Sequence, residues 1–242
     1  MIPLGFGGSN KRVGMENKFS IILPYKTKDI YVERCLKWIS YQTYKNYEVI
    51  EIPDTICDGY PSEKRNWAIL RATGDYLAFI DSDAYPSADW LSNALKWLNK
   101  GYIGVCGAGI LPADAPLLEQ AADLVLKWLP YSYRVTPKKA RIVKEFPTFN
   151  LIVKKTDLLF EPYLTGEDSL YCRQLSERGQ ILYTPDLIVY HNRRPLFKPF
   201  WKQIKTYGLH RGHLIRLALL GWISTLFVYG YNFIKGLLRR KV

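Results

Sequence analysis

Cysteine is scarce in this chain, and its few cysteines have the spacing of neither a metal site nor a disulfide framework. They are Cys35, Cys57, Cys106 and Cys172, three of them inside apolar-patterned segments. A structural zinc site needs cysteines or histidines in short paired spacings, and a small secreted domain needs them densely placed. The sequence therefore argues against both classes and predicts buried thiols in a reducing compartment.

A secretory signal, an internal repeat and a low-complexity tract are also missing from the sequence. Residues 1–18 are glycine-rich and lack the apolar core of a signal peptide, so we expect a flexible leader there. With 48% hydrophobic and 14% aromatic residues over 242 positions, the chain can form a large packed core. We expect one domain over residues 19–195 and a separate C-terminal segment over residues 196–242.

Acidic residues are absent after Asp186, although that part of the chain carries eleven lysines and arginines. A net charge of +12 would ordinarily suggest nucleic-acid binding. These cations, however, surround a long apolar run and alternate with Trp, Tyr and Phe, which fits an anionic membrane surface better than a phosphate groove. We therefore expect no nucleic-acid partner and attachment to the cytoplasmic face of the cell membrane through the C-terminus.

The apolar run itself predicts that residues 214–235 are embedded in the membrane. Residues 217–234 carry no charge, and these eighteen residues would span about 27 Å as a helix, against about 30 Å for a hydrocarbon core. Apolar residues occupy the whole helix circumference, which favours insertion over lying flat. Length and charge leave four placements open: full crossing, re-entrant, interfacial, and a buried core helix.

Alternating apolar strands and amphipathic helices predict a parallel α/β half-sheet in the first part of the chain. The strands are expected over residues 19–24, 48–53 and 76–80. A helix is expected at about 31–42, which makes a β-α-β unit with parallel neighbours. A second helix is expected to start at a Ser62 cap and run through Ala72, with Gly74 in the left-handed position that ends it.

The rest of the chain continues the α/β alternation. Helices are expected over residues 87–99, 116–129 and 169–178, the first of them capped by Ser87. Strands are expected over residues 103–109, 149–153, 181–184 and 187–191. The basic segment 131–144 has no clear pattern and is expected to be irregular.

Two carboxylates follow the third strand directly. Asp81 and Asp83 come after the apolar run of residues 76–80 and, being two positions apart, should point the same way. Ligands bind at the carboxyl ends of strands in open α/β sheets, and paired carboxylates suit Mg²⁺ or Mn²⁺, which neutralise a diphosphate. The alternative is a plain turn after a strand, capped by Asp and stopped by Pro86.

Six stretches carry a resemblance to a known family. They are FSIILPY at 19–25, EVIEIPD at 48–54, KRN at 64–66, ATGDYLAFIDSD at 72–83, GED at 166–168, and His191 after a late strand. In their order and spacing, the chain resembles a family-2 glycosyltransferase of the GT-A fold. The resemblance implies an α/β fold with a Rossmann-like, mixed nucleotide-binding sheet flanked by helices, followed by interfacial and membrane-embedded C-terminal helices.

The resemblance also implies a binding site for a nucleoside-diphosphate sugar, with a UDP-sugar favoured. Pro24, Tyr25 and Asp54 should line the base and ribose pocket, and Arg65 should lie near the base or the diphosphate. The alternatives are that Asp54 is a turn residue and that Arg65 is a solvated charge on a helix. The family usually has two consecutive acids after the second strand, whereas here Pro53 occupies the first place.

For the cation, the resemblance implies that Asp83 is a metal ligand and that Asp81 contacts ribose or metal. His191 stands where several members supply a further metal ligand, and imidazole suits Mn²⁺ better than Mg²⁺. The expected cofactor is therefore Mn²⁺ or Mg²⁺. A structural histidine that bonds to the adjacent loop is the competing interpretation of His191.

For the chemistry, the resemblance makes Glu167 and Asp168 the acidic pair at the start of the acceptor-side helix, with Asp168 as the general base of an inverting enzyme. A sugar hydroxyl needs a nearby carboxylate to take its proton as the bond to diphosphate breaks. The alternative is that these acids only cap the helix. Thr148, Phe149 and Asn150 fall where the family places a Thr/Asn-type contact to donor or acceptor.

The acceptor is expected to be a lipid-linked or glycan acceptor close to the membrane. Residues 197–212 are similar to the interfacial helix of membrane-bound exopolysaccharide glycosyltransferases, in which lysine stems extend to the interface while aromatic rings enter the headgroup layer. A basic helix packed on the domain is the alternative. Two rival functions are a nucleotidyltransferase and a catalytically idle membrane or nucleic-acid-binding protein on the same fold.

Overall fold

A computed structural model describes residues 17–128, 132–162 and 166–195 of the chain. Most of the predicted leader lies outside the described residues, as do the basic helix and the embedded segment predicted after residue 195. Within the three described ranges, none of the helices combines the length and the apolarity needed to cross a bilayer.

The described ranges form ten strands and five α-helices. The strands are β1 Phe19–Pro24, β2 Tyr47–Ile52, β3 Tyr76–Ile80, β4 Ala84–Pro86, β5 Gly104–Cys106, β6 Gly109–Ile110, β7 Arg141–Val143, β8 Asn150–Lys154, β9 Ile181–Tyr183 and β10 Val189–His191. The helices are α1 Ile30–Ser40, α2 Pro61–Ile69, α3 Trp90–Leu98, α4 Leu117–Trp128 and α5 Glu167–Ser176, with one 3₁₀ turn at Ser132–Arg134.

Seven strands form a mixed sheet in the order β2-β1-β3-β8-β5-β9-β7. β1 pairs in parallel with β2 and β3, which confirms the predicted parallel half-sheet. β8 pairs antiparallel with β3 and β5, so the sheet changes direction beyond β3. Apolar side chains of α1 and α3 pack in one core on one face of the sheet, and those of α2 and α5 pack in a second core on the other face. The predicted α/β class with flanking helices is correct.

A second sheet of three strands, in the order β4-β10-β6, lies beyond the carboxyl end of β3. The sequence predicted neither this sheet nor β4, and it joined β5 and β6 into one strand. The two strands separate at Gly107, where a Cβ atom would lie 1.9 Å from the Leu187 carbonyl oxygen. β10 runs antiparallel to β4 with His191 opposite Ala84, the residue after Asp83.

Two predicted helix signals are wrong. α2 begins at Pro61, where the Glu63 carboxylate accepts from the Tyr60 N–H at 2.6 Å, while the buried Ser62 hydroxyl has no hydrogen-bond partner among the described residues. Gly74 does not have a left-handed backbone. A glycine is needed there because a Cβ atom would lie 2.7 Å from the Lys18 carbonyl oxygen.

Two other helix and strand predictions need correction. α3 begins at Trp90 after Asp89, not after a Ser87 cap. The segment 131–144, predicted to be irregular, contributes β7 to the edge of the large sheet, antiparallel to β9. Arg141 and Ile142 of this strand are exposed, so the edge lacks the apolar alternation that would have revealed it.

Glu48 of β2 joins three segments at the amino-terminal side of the sheet. Its carboxylate accepts from the Ser20 hydroxyl at 2.6 Å, the Thr73 N–H at 2.7 Å and the Lys18 ammonium at 3.0 Å. Burial alone would raise the pKa of Glu48, but these hydrogen bonds outweigh it and lower the pKa to about 2. The ionised carboxylate therefore stabilises the fold.

We expect Glu48→Gln to lower the free energy of unfolding by roughly 1–2 kcal/mol at neutral pH, because charge-assisted hydrogen bonds are lost. The pKa of Glu48 is lower in the folded state than in the unfolded state. Its contribution to stability is therefore complete above about pH 4.5 and is lost as the pH falls toward 2. Urea unfolding of both proteins between pH 7 and 3 should show the difference narrowing below pH 4.5. Exposed Glu161→Gln is the control, and a pH-independent difference would contradict the assignment.

Candidate active site

The carboxyl ends of β1, β2 and β3 form one edge of the sheet, and the predicted nucleotide-pocket residues lie along it. Pro24 ends β1, and the N–H of Tyr25 donates to the Ile52 carbonyl at 3.1 Å. The Asp54 N–H donates to the Lys26 carbonyl at 3.2 Å. These backbone bonds join the loops that leave β1 and β2, so the structure brings the segments of Tyr25 and Asp54 together.

Lys64 of α2 fixes this pair of loops. Its buried ammonium donates to the Tyr25 carbonyl at 2.6 Å and forms an ion pair with the Asp54 carboxylate. The Tyr25 hydroxyl donates to Glu51 at 2.8 Å, and burial together with this contact raises the pKa of Tyr25 to about 12. Sequence analysis missed Lys64 although it lies in the KRN stretch, because a lysine at a helix start looks like a solvated charge.

Arg65, the next residue of α2, is buried and bridges two parts of the site. Its guanidinium lies 3.4 Å from the Asp81 carboxylate and 3.1 Å from the Glu167 carboxylate. Its Cζ lies 5.5 Å from the centre of the Phe160 ring. The solvated-charge interpretation of Arg65 is therefore wrong, since this side chain links the end of β3 to the start of α5.

Asn66, the last residue of the KRN stretch, bonds to the backbone of the loop between β8 and α5. Its side-chain amide donates to the Phe160 carbonyl at 2.7 Å and accepts from the Phe160 N–H at 2.7 Å. This two-way bond fixes the loop between β8 and α5 against α2. Three consecutive residues of α2 thus hold the loops after β1 and β2, the end of β3 and the loop between β8 and α5. Asn66 and Phe160 are 94 residues apart, and no local pattern in the sequence indicates their pairing.

Asp81, Asp83 and His191 come together at the end of β3. One ligating atom from each lies within 4.8 Å of the other two, and His191 Nε2 is 3.1 Å from an Asp83 carboxylate oxygen. The β4–β10 pairing brings His191 there, the Asn192 N–H donates to the Asp83 carbonyl at 3.1 Å, and the Phe149 ring lies 4.7 Å from the imidazole. Two carboxylates and one imidazole are a donor set that fits Mn²⁺ and, less well, Mg²⁺.

The two aspartates of this cluster have different pKa shifts. Desolvation raises the pKa of Asp81, with the Arg65 charge opposing this effect and the Asp83 charge adding to it. Desolvation also acts on Asp83, but the charge of His191 and its hydrogen bond lower the pKa of Asp83 below its usual value. Asp83 is therefore the carboxylate that the site holds most firmly in its ionised form.

A buried ionic network supports the backbone around His191. The Arg193 guanidinium donates to Asp123 at 2.9 Å and to the His191 carbonyl at 3.0 Å, and the Arg193 N–H donates to Glu119 at 3.0 Å. Arg193, Glu119 and Asp123 are all buried. Sequence analysis missed this network. The available signals were two acids four residues apart in α4, Glu119 and Asp123, and an arginine two residues after His191.

Glu167 and Asp168 occupy the first turn of α5, after Gly166, which has a left-handed backbone with φ +86°. Glu167 faces Arg65, while desolvation and the neighbouring Asp168 charge raise the pKa of Glu167. One Asp168 carboxylate oxygen accepts from the Ser169 N–H at 2.7 Å. Asp168 thus has a cap-like contact, and Glu167 is tied to Arg65.

Asn150 does not reach the site. It is fully buried, its amide oxygen accepts from the Trp90 indole at 2.9 Å, and its amide nitrogen donates to the Ala108 and Leu187 carbonyls at 3.2 and 2.8 Å. With all its polar atoms bonded inside the protein, Asn150 has no capacity for a donor or acceptor contact. The predicted contact is wrong, and Asn150 instead ties β8 to the second sheet.

Comparisons with known proteins agree with this arrangement. The model for "Glycosyl transferase family 2" matches residues 57–160, which include Lys64, Arg65, Asp81 and Asp83. The dolichyl N-acetyl-α-D-glucosaminyl phosphate 3-β-D-2,3-diacetamido-2,3-dideoxy-β-D-glucuronosyltransferase of Methanococcus voltae is 23% identical over 271 residues, which cover 90% of this chain and 79% of that protein.

Two solved structures share the fold. The Staphylococcus aureus TarS fragment 1–349 in complex with UDP-GlcNAc superposes with a TM-score of 0.55 at 18% identity, covering 73% of this chain and 59% of that chain. The mannosyltransferase PcManGT of Pyrobaculum calidifontis, in complex with GDP-Man and Mn²⁺, gives a TM-score of 0.50 at 19% identity, covering 74% and 57%. The chain thus spans less than two thirds of either solved chain. The chain therefore shares the fold of these glycosyltransferases, and its residues 57–160 are similar to family-2 glycosyltransferases.

Proposed function

We propose that this glycosyltransferase moves a sugar from a nucleoside diphosphate to a lipid-linked or membrane-proximal acceptor, with a divalent cation and inversion at the sugar carbon. The observation that carries the proposal is the meeting of Asp81, Asp83 and His191 within 4.8 Å at the carboxyl edge of the sheet. That edge is also where the predicted nucleotide pocket lies. A cation-assisted departure of diphosphate accounts for both features.

The proteins it resembles support the donor and acceptor classes. The TarS and PcManGT structures contain UDP-GlcNAc and GDP-Man, which supports a nucleotide-sugar donor, with UDP favoured. The Methanococcus voltae relative is named for transfer to a dolichyl-linked sugar phosphate, which supports a lipid-linked acceptor. Membrane attachment at the cytoplasmic face, through the basic and apolar residues 196–242, is consistent with such an acceptor.

Asp83, Asp81 and His191 would hold the cation. Bound there, it would supply positive charge to the diphosphate as the leaving group develops. The imidazole favours Mn²⁺ over Mg²⁺. The cation requirement follows from the acids themselves, since a diphosphate beside Asp81 and Asp83 would otherwise meet like charge.

The donor nucleotide would lie along the ends of β1 and β2. Tyr25 and Asp54, held by Lys64, would contact the base and ribose, since a carboxylate can accept from a pyrimidine N–H. Arg65 would act from its position between Asp81 and Glu167, on the diphosphate side of the pocket. This arrangement makes Arg65 a positioning residue for both acids as well as a source of charge.

Asp168 would be the general base. Glu167 forms an ion pair with Arg65, whereas the described hydrogen bond of Asp168 is to the neighbouring Ser169 N–H. In the transfer, the acceptor hydroxyl proton passes to Asp168, the hydroxyl oxygen bonds to the sugar carbon, and the bond from that carbon to diphosphate breaks with its electron pair leaving on the diphosphate. Attack from the side opposite to the leaving group inverts the configuration.

The direct test is a panel of nucleotide sugars with membranes supplied as acceptor, scored by release of the nucleoside diphosphate. We expect one UDP-sugar to turn over with Mn²⁺ and to stop with chelator. Asp83→Asn should lower kcat/KM at least about 100-fold and make nucleotide affinity independent of Mn²⁺, because a charged ligand is lost. Exposed Asp114→Asn is the matched control, and full activity of Asp83→Asn in chelator would reject the cation site.

Gly109→Ala tests whether His191 holds the cation. An added Cβ atom would lie 2.7 Å from a Phe149 ring carbon and 3.1 Å from the His191 Cβ, so the Phe149 ring must shift and the His191 Cβ must move by a few tenths of an ångström. We expect Mn²⁺-dependent nucleotide binding to weaken about tenfold and stability to fall by about 1–3 kcal/mol. Gly104→Ala, crowded at 3.1 Å against Val153, is the control that should lose stability alone. Equal Mn²⁺ affinity in both variants would leave His191 as a structural residue.

Asp168→Asn separates binding from chemistry. The amide retains a hydrogen-bonding oxygen for the Ser169 N–H, so folding and nucleotide affinity should stay near wild type while kcat falls at least about 100-fold. Glu167→Gln serves as the comparison, since it weakens the Arg65 bridge and leaves the base in place. If Asp168→Asn keeps its turnover and Glu167→Gln loses it, the base is Glu167.

A further inference from the structure

Helix α4 exposes an apolar stripe that no described residue covers. Leu117, Leu124 and Trp128 are 45%, 60% and 75% exposed, and their spacing of seven and four residues puts them on one side of the helix. The opposite side of α4 carries the buried acids of the Arg193 network. An exposed tryptophan at the end of such a stripe is typical of a surface that meets a partner.

A group of cations on the segment after the 3₁₀ turn has no acidic partner among the described residues. Lys138, Lys139, Arg141 and Lys144 form no ion pair within the described ranges, and the acid beside them, Glu145, is paired with Arg173. Arg141 lies with its Cζ 3.8 Å from the centre of the Tyr133 ring. Two open cavities of about 350 and 370 Å³ are lined by this segment and by Tyr133. We name α4, the 3₁₀ turn and residues 138–144 the α4/β7 face.

The stripe and the cations form one continuous surface. α4 packs against the turn Ser132–Arg134, and Tyr133 of that turn lies under Arg141 of β7. Ile142, in the middle of β7, is 48% exposed at the open edge of the large sheet. The α4/β7 face therefore carries both apolar and basic side chains.

The described part of the chain ends beside α4. Asn192 and Arg193 are bound to Glu119 of α4, and Arg193 is bound to Asp123 as well. The described residues end at 195, two positions later. The helix that carries the stripe is therefore also the helix to which the end of the described chain is tied.

We propose that the α4/β7 face docks on an anionic lipid bilayer, a proposal that rests on the membrane-proximal acceptor of the proposed function. Anionic headgroups attract the unpaired lysines, and Leu124, Trp128 and Ile142 enter the interfacial layer. A soluble polyanion would satisfy the cations but would leave the leucine and tryptophan stripe in water. The face thus orients the catalytic domain on the membrane, in addition to any anchoring by the C-terminal segment.

The first measurement is partition of the full-length chain into vesicles of phosphatidylglycerol and phosphatidylcholine. Lys138→Glu with Lys139→Glu should weaken partition at least about tenfold at 0.1 M salt. The control is Lys37→Glu in α1 with Lys45→Glu before β2, two exposed positions away from the α4/β7 face. This double variant has the same net charge and should weaken partition less than about threefold. Equal losses in the two double variants would overturn the proposal.

The second measurement locates the contact. Hydrogen exchange of the full-length chain should slow in residues 117–128 and 138–144 with phosphatidylglycerol vesicles and stay unchanged with phosphatidylcholine alone. Leu124→Ser with Trp128→Ser should abolish this protection. Protection confined to residues 196–242, or equal protection by soluble inorganic polyphosphate, would overturn the proposal.

Donor hydrolysis without vesicles, measured on the same variants, keeps the two proposals separate. The charge and stripe variants should hydrolyse the donor like the wild type, because none of these residues belongs to the candidate active site. Vesicle docking by a chain that turns over no donor would leave the docking proposal standing and reject the catalytic one.

Discussion

Four carboxylates share one small region at the carboxyl edge of the sheet, and the buried guanidinium of Arg65 makes this arrangement tolerable. Asp81 and Asp83 come from the end of β3, while Glu167 and Asp168 come from the start of α5. Each acid raises the cost of ionising the next one. Arg65 contacts one member of each pair, so the same charge that offsets their repulsion also fixes the distance between the end of β3 and the start of α5.

Around this charge balance, the fold uses short strands to place single residues. β4 and β10 are three residues each, yet their pairing brings His191 across more than a hundred residues of sequence to Asp83. The Arg193 network then holds that short pairing in place from the side of α4. A small second sheet at the end of a large one is thus a way to add a ligand to a strand end without altering the strand itself.

The sequence predicted what depends on local pattern and missed what depends on distant partners. The parallel half-sheet, Asp81, Asp83 and the acidic pair follow from apolar runs, spacing and family resemblance. The prediction that Ser62 and Gly74 cap a helix is wrong because serine and glycine also occur where packing requires a small residue. Lys64 and Arg193 were missed because a charged residue is recognised as buried only when its partner, far along the chain, is known.

The bond between Asn66 and the Phe160 backbone determines which sequence changes the loop between β8 and α5 can accept. The Asn66 side chain bonds to both the N–H and the carbonyl of Phe160. Because this bond uses the backbone of residue 160 and not the side chain of residue 161, a change at residue 161 leaves the bond in place. The stretch from there to α5 is tied at its start by this bond and at its end by the Arg65–Glu167 pair. A stretch anchored at both ends can exchange its sequence without disturbing the ion pair between Arg65 and Glu167.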